Sequence, residues 1–205
     1  IASNRAASLW SLPGDLRLVE FHSKANALTG ESMAIVRQAA EDHGTGILIH
    51  NDAQHFSAGV DLNRFADFIA REAWGEMDAF LNDFQQAVAA LKYCPVPVVG
   101  APSGLSLGGG FEVLLHCDRL LTHANSVLGL VESGVGVVPG GGGVKTTYQR
   151  WFEATGDADV AAWESWMQIG YGKTGESPEQ ATKLRYFQPG HDETVMNRDK
   201  LITRA

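Results

Sequence analysis

The sequence predicts an α/β domain, and three observations carry that prediction. Short β-branched apolar runs stand at GILIHN (46–51) and VPVVGA (96–101), the composition of strands buried on both faces. Two segments between and beside them have helical periodicity. One is 30–43, with Met33, Ile35 and Val36; the other is 74–93, where Trp74, Met77, Phe80, Leu81, Phe84, Val88 and Leu91 form one apolar stripe that reads as core packing. Finally, glycine-rich turns separate strand from helix after Pro97. Strands alternating with helices require crossover connections, and these define the class.

The elements follow in order. LRLVEF (16–21) alternates like a half-buried strand, and CPVP (94–97) ends the long helix. LGGGFEVLLHCD (107–118) supplies glycines and then a helix over 111–116. A strand over 118–122, a short strand over 127–130, a second glycine cluster and a helix over 144–152 complete the pattern. From Glu153 onward the chain is more polar, and helices and loops are expected there, with no internal repeat anywhere. At 205 residues, 44% of them hydrophobic, the chain is one domain, residues 1–205. Its first residue is Ile, which marks a processed start or a piece of a longer chain.

A net charge of −8 argues against a nucleic-acid surface. No apolar run is long enough to span a bilayer, and the start has no signal-peptide pattern. Cys94 and Cys117 show no metal-ligand spacing and no disulfide framework, which points to a reducing cytoplasm. The segment GYGKTGES (170–177) contains the GKT of a phosphate loop, yet Met167 stands where that motif needs its first glycine. The histidines form no HExxH or HxH pair, and no GxGxxG follows the first strand, so neither a metal nor a dinucleotide is expected on this chain.

Chemistry concentrates in three segments. In LGGGFE the glycines leave bare backbone before a helix, so the Gly109 N–H is a candidate donor to a developing negative charge, and Glu112 falls in the first helical turn beside it. In HFSAGVDL (55–62) small residues at a strand end make Ala58 a second candidate N–H donor, with a helix starting at Asp61 or Leu62; taken alone the stretch reads as a tight turn capped by Asp61. In GLVESGVGVVPGGGG (129–143) Glu132 reads singly as a surface residue or cap, and with Glu112 as the second carboxylate of an acid/base pair. Together they suggest carbonyl activation with carboxylates moving protons.

With these motifs in place the chain resembles the crotonase (enoyl-CoA hydratase/isomerase) superfamily over residues 9–150. The resemblance rests on SKANAL (23–28), FSAGVDL (56–62) and the run PVPVVGAPSGLSLGGGFEVLLHCDRLLTHANSVLGLVESGVGVVPGGGG (95–143). It implies a crotonase-like ββα spiral with flanking helices that binds an acyl-CoA thioester. The thioester oxygen would be held in an oxyanion hole formed by the N–H groups of Ala58 and Gly109. Glu112 and Glu132 would be the catalytic glutamates, and Lys24, Ala27, Ser57, Gly59, Asp61, Leu62, Gly108, Pro139 and Gly140 would line the substrate site. Retention of both glutamates favours hydration of a trans-2-enoyl-CoA. An isomerase using Glu132 alone and a non-catalytic acyl-CoA-binding or assembly module are the alternatives.

The tail 171–205 departs from the common family pattern and is similar to the hydratase part of bacterial multifunctional 3-hydroxyacyl-CoA dehydrogenases. That likeness implies a fragment whose parent carries NAD on a separate dehydrogenase part, with no cofactor on this chain. Family members form trimers; the region that builds them is changed here, so the resemblance leaves the homo-oligomeric state open.

Overall fold

The computed structural model describes residues 1–205. The chain begins with β1 (Ala2–Ser3), β2 (Ala7–Leu12) and β3 (Leu16–Phe21), then α1 (Gly30–Glu41) and β4 (Gly46–Ile49). Next come α2 (Leu62–Ala70), α3 (Trp74–Lys92), β5 (Val98–Gly100), β6 (Leu105–Leu107), α4 (Gly109–Leu114), β7 (Arg119–His123) and β8 (Val127–Gly129). The last third holds α5 (Gly143–Thr155), α6 (Ala158–Gly170), β9 (Thr174–Gly175), α7 (Pro178–Lys183), β10 (Glu193–Val195) and α8 (Leu201–Arg204).

The main sheet runs β1-β2-β3-β4-β5-β7-β10, antiparallel through β3 and parallel from there on. A second sheet, β6-β8-β9, carries the loops that hold the candidate site. Burial follows the sequence pattern: β3 alternates, while every residue of β4 is buried, as a strand covered on both faces must be. Thr29 opens α1 through a capping box with Ser32. Asp61 caps α2 by accepting the Asn63 N–H. No helix is long and apolar enough to cross a membrane.

One element lies outside the segments assigned from sequence, and three expectations are corrected. That element is the hairpin β1–β2; its Ala and Ser residues have weak strand preference, and the turn is closed by the Asn4 side chain accepting the N–H groups of Ala6 and Ala7. The apolar stripe of α3 enters the core only from Phe80 onward, and Trp74 is 57% exposed. A 19-residue helix is about 28 Å long, and its first turns extend past the core cluster that buries Phe84, Val88 and Leu91. Helix α4 begins at Gly109, two residues earlier than expected, so two of the glycines lie inside it. In the tail, strands appear where only helices and loops were expected: Glu193–Val195 pairs in parallel with β7, and Thr174–Gly175 pairs with β8.

Candidate active site

The glycines of α4 are there for close packing. A Cβ on Gly110 would lie 2.5 Å from Ser57 Cβ, and one on Gly109 would lie 2.6 Å from Val60 Cγ2. The loop 57–60 therefore rests directly on the first turn of the helix, joined by a bridge from Ser57 to Ser106. Gly108, at the N-cap, has φ +53°, a conformation that side chains avoid. Replacing Gly110 by Ala should move the loop 57–60 and cost about 1–3 kcal/mol of stability, read as a lower denaturant midpoint at unchanged slope.

Glu112 sits where the first turn meets the 139–143 loop. Its side chain is buried, and its Oε1 accepts the N–H groups of Gly141 and Gly143, both at 2.8 Å. These donors lie about thirty residues further along the chain and have no side chain to advertise them; their glycines are required because a Cβ on Gly141 or Gly143 would approach the Glu112 carboxylate to 2.8 or 2.9 Å. Burial drives the Glu112 pKa up to about 7; the Gly143 hydrogen bond opposes this, the negative charge of Glu132 adds to it, and the Gly141 hydrogen bond opposes it again.

Glu132 starts a short 3-10 turn, 132–135. Its Oε1 lies 3.2 Å from the place a Cβ on Gly108 would occupy, at the N-terminus of the helix that carries Glu112. Both Glu132 carboxylate oxygens are buried and have no hydrogen-bond partner. Burial accordingly raises its pKa above the usual carboxylate range. An unpartnered buried carboxylate is costly unless it is protonated or the site serves chemistry. The Tyr186 phenol, unremarked in the sequence, is fully buried against Phe111 at 4.8 Å between ring centroids. Its pKa is pushed up to about 12, first by burial and in smaller part by the charge of Glu132. Only its distance in sequence concealed it.

The two candidate N–H donors differ. The Gly109 N–H, at the first position of α4, donates to no group of the protein. Gly59 lies against it, 3.6 Å from its would-be Cβ to the Gly109 nitrogen. The expectation of two free donors is corrected at Ala58, whose N–H donates to the Ala25 carbonyl at 3.1 Å. The reason is a zipper between the turn 23–28 and the loop 55–61: Leu28 N–H to Gly59 O, Asp61 N–H to Leu28 O, Ser57 Oγ to Asn26 O, and Asn26 Nδ2 to His55 O. Ala25 is held at φ +57°, a strained setting for a residue with a Cβ, costing on the order of 1 kcal/mol.

Among the remaining expected lining residues, this zipper gathers Lys24, Ala27, Ser57, Gly59, Asp61 and Leu62 on one side of the α4 N-terminus, with Lys24 and Leu62 exposed. Gly108 is the N-cap itself. Pro139 and Gly140 stand apart from that group, against α3: Gln85 Nε2 donates to Gly140 O at 2.7 Å. No three His, Cys, Asp or Glu side chains gather in a way that would hold a metal ion.

A buried carboxylate fixed by two peptide N–H groups, a second unpartnered one near it and an open N–H at a helix start make an arrangement with the chemical means for proton transfer next to a polarised oxygen. The chain belongs to the enoyl-CoA hydratase/isomerase family, whose model matches residues 18–156. It is 33% identical over 208 residues to a probable 3-hydroxyacyl-CoA dehydrogenase of Bacillus subtilis, covering all of this chain and 26% of that protein. It is also 33% identical over 131 residues to a putative fatty acid oxidation complex trifunctional enzyme of Rickettsia felis, covering 62% of this chain and 18% of that one. The chain thus spans about a quarter or less of these relatives. A solved enoyl-CoA hydratase from Polaromonas sp. JS666 superposes with a TM-score of 0.80 at 22% identity, over 98% of this chain and 74% of that one, and shows the shared crotonase fold.

Proposed function

We propose that this domain hydrates trans-2-enoyl-CoA to 3-hydroxyacyl-CoA, as the hydratase part of a larger fatty-acid β-oxidation protein. The observation that carries this reading is Glu112: a carboxylate buried, oriented through one oxygen by two N–H donors, and brought to a pKa of about 7, where it is divided between acid and base at neutral pH. Its other oxygen remains to bind water. The named hydratases and the multifunctional relatives support the substrate class.

In this reading a water held by Glu112 attacks C3. The O–C3 bond forms as the water proton passes to Glu112, and C2 takes a proton from Glu132, which burial keeps protonated more readily than an exposed carboxyl. Electron density moves transiently onto the thioester oxygen and returns as C2 is protonated. The open Gly109 N–H meets that oxygen, an interaction that strengthens as charge develops. The Ala58 N–H becomes the second donor when the ligand oxygen replaces the Ala25 carbonyl. That exchange trades one hydrogen bond for another, and the rotation of the 25–26 peptide it needs acts on ψ of Ala25 and on φ of Asn26, which is itself held in the left-handed region at +50°. Lys24, Ala27, Ser57, Gly59, Asp61, Leu62 and Gly108 would line the CoA side, and Pro139 and Gly140 the wall toward α3.

The test is loss of the conjugated enoyl-thioester absorbance with crotonyl-CoA and a long-chain analogue, with a 3-enoyl-CoA incubated in parallel. Hydration predicts decay of the 2-enoyl signal. A rise of that signal from the 3-enoyl compound, without subsequent decay, would instead identify an isomerase.

A further inference from the structure

Against the 139–143 loop lies a cleft of about 510 Å³ between the C-terminal half of α3, the glycine loop and the first turn of α5; it shares Pro139 and Gly140 with the expected substrate wall, while its charged residues lie outside that set. In a chain of net charge −8 its lining contains no carboxylate; the charged residues there are Lys92 and Lys145. At its floor the 13-residue α5 begins behind Gly142 with no side-chain cap, and the N–H groups of Val144 and Lys145 make no hydrogen bond.

A second, independent feature faces the same space. His116 is 4% exposed and lines the cleft beside Gly142, whose would-be Cβ lies 3.0 Å from His116 Nε2. Its Nδ1 is 2.7 Å from the Glu112 carbonyl oxygen. A carbonyl only accepts, so Nδ1 carries the hydrogen, and in the neutral ring Nε2 presents a lone pair. Nε2 has no partner in the protein. Burial, then the charges of Lys145 and Lys92, lowers the ring's pKa and keeps it neutral. The cleft therefore offers two ammonium groups and two peptide N–H groups to an anion, beside the Nε2 lone pair of a largely buried histidine, reachable from the cleft, that accepts an O–H and not another lone pair.

We propose that this cleft binds hydrogen phosphate, an oxyanion that retains one P–OH at neutral pH. Sulfate has the same shape and charge but no proton, so it sets an oxygen lone pair against that of Nε2. The inference does not depend on the hydratase reading and is tested without any CoA compound.

The experiment is a titration of the whole chain with inorganic phosphate and, separately, sulfate at matched ionic strength and neutral pH, followed through the backbone amide signals of Val144 and Lys145. Phosphate should shift both saturably, and sulfate should bind at least tenfold more weakly. The double variant K92A/K145A changes two exposed side chains, and its fold is verified by circular dichroism; it should weaken phosphate binding tenfold or more. Saturating CoA should leave phosphate binding intact. Equal affinity for sulfate, no saturable shift, an unaffected double variant, or displacement by CoA would each overturn the assignment.

Discussion

Glu132→Gln should lower turnover with crotonyl-CoA by about a hundredfold or more while KM changes little. The amide keeps the size of the side chain and removes the only proton that this position delivers to C2. A hundredfold loss corresponds to about 2.7 kcal/mol of transition-state stabilisation. Because neither Glu132 oxygen has a hydrogen-bond partner, the substitution breaks no bond of the resting protein, and the loss belongs to the chemical step. A variant within about threefold of the parent in steady-state kinetics would remove Glu132 from the mechanism.

Glu112→Gln should also cost about a hundredfold or more in turnover, since an amide cannot take a proton from water. Its effect on stability has the opposite sign. The folded protein holds the Glu112 proton more tightly than the unfolded chain, with a pKa raised from 4.5 to about 7. Between those values the native state binds more protons, so stability from this group is greatest below the lower value and falls as pH rises through the upper one. Well above pH 7 the full penalty applies, on the order of 3 kcal/mol. Glu112→Gln should therefore flatten the decline in melting temperature across this interval and melt above the parent at alkaline pH. Thermal unfolding at several pH values reads it, and a variant that retains the parent's slope would show that Glu112 ionises elsewhere. The same titration sets the acid limb of the rate profile: activity should climb as pH rises through about 7.

The candidate site was legible in sequence wherever it is built on a side chain or on a local signal. Glu112 and Glu132 announce themselves as carboxylates beside glycine clusters, and Asp61 as a cap directly before a helix. What escaped is backbone chemistry between distant segments. Nothing in PGGGG says that the N–H groups of Gly141 and Gly143 point at Glu112, because both are set by how the loop folds over α4. For the same reason the Ala58 N–H looked free: its acceptor, the Ala25 carbonyl, lies thirty-three residues earlier and arrives only through the zipper between two turns. In the fold, buried strands such as β4 were plain from their β-branched runs. The hairpin β1–β2 was hidden in Ala and Ser, whose contribution comes from pairing with β3 rather than from intrinsic preference. Residues 193–195 gave no strand signal because a three-residue edge strand is defined by its partner β7.

The central claim, that Glu112 and Glu132 add water across a 2-enoyl thioester, is tested most directly by isotope incorporation. Crotonyl-CoA is incubated with the protein in deuterated water enriched in oxygen-18, and the recovered thioester is read by mass spectrometry with fragmentation. The account predicts one oxygen-18 on C3 and one deuterium on C2 in the same molecule, both appearing about a hundredfold or more slowly with Glu132→Gln. Deuterium exchanged into recovered enoyl-CoA without oxygen-18 at C3, or incorporation undiminished by Glu132→Gln, would contradict it.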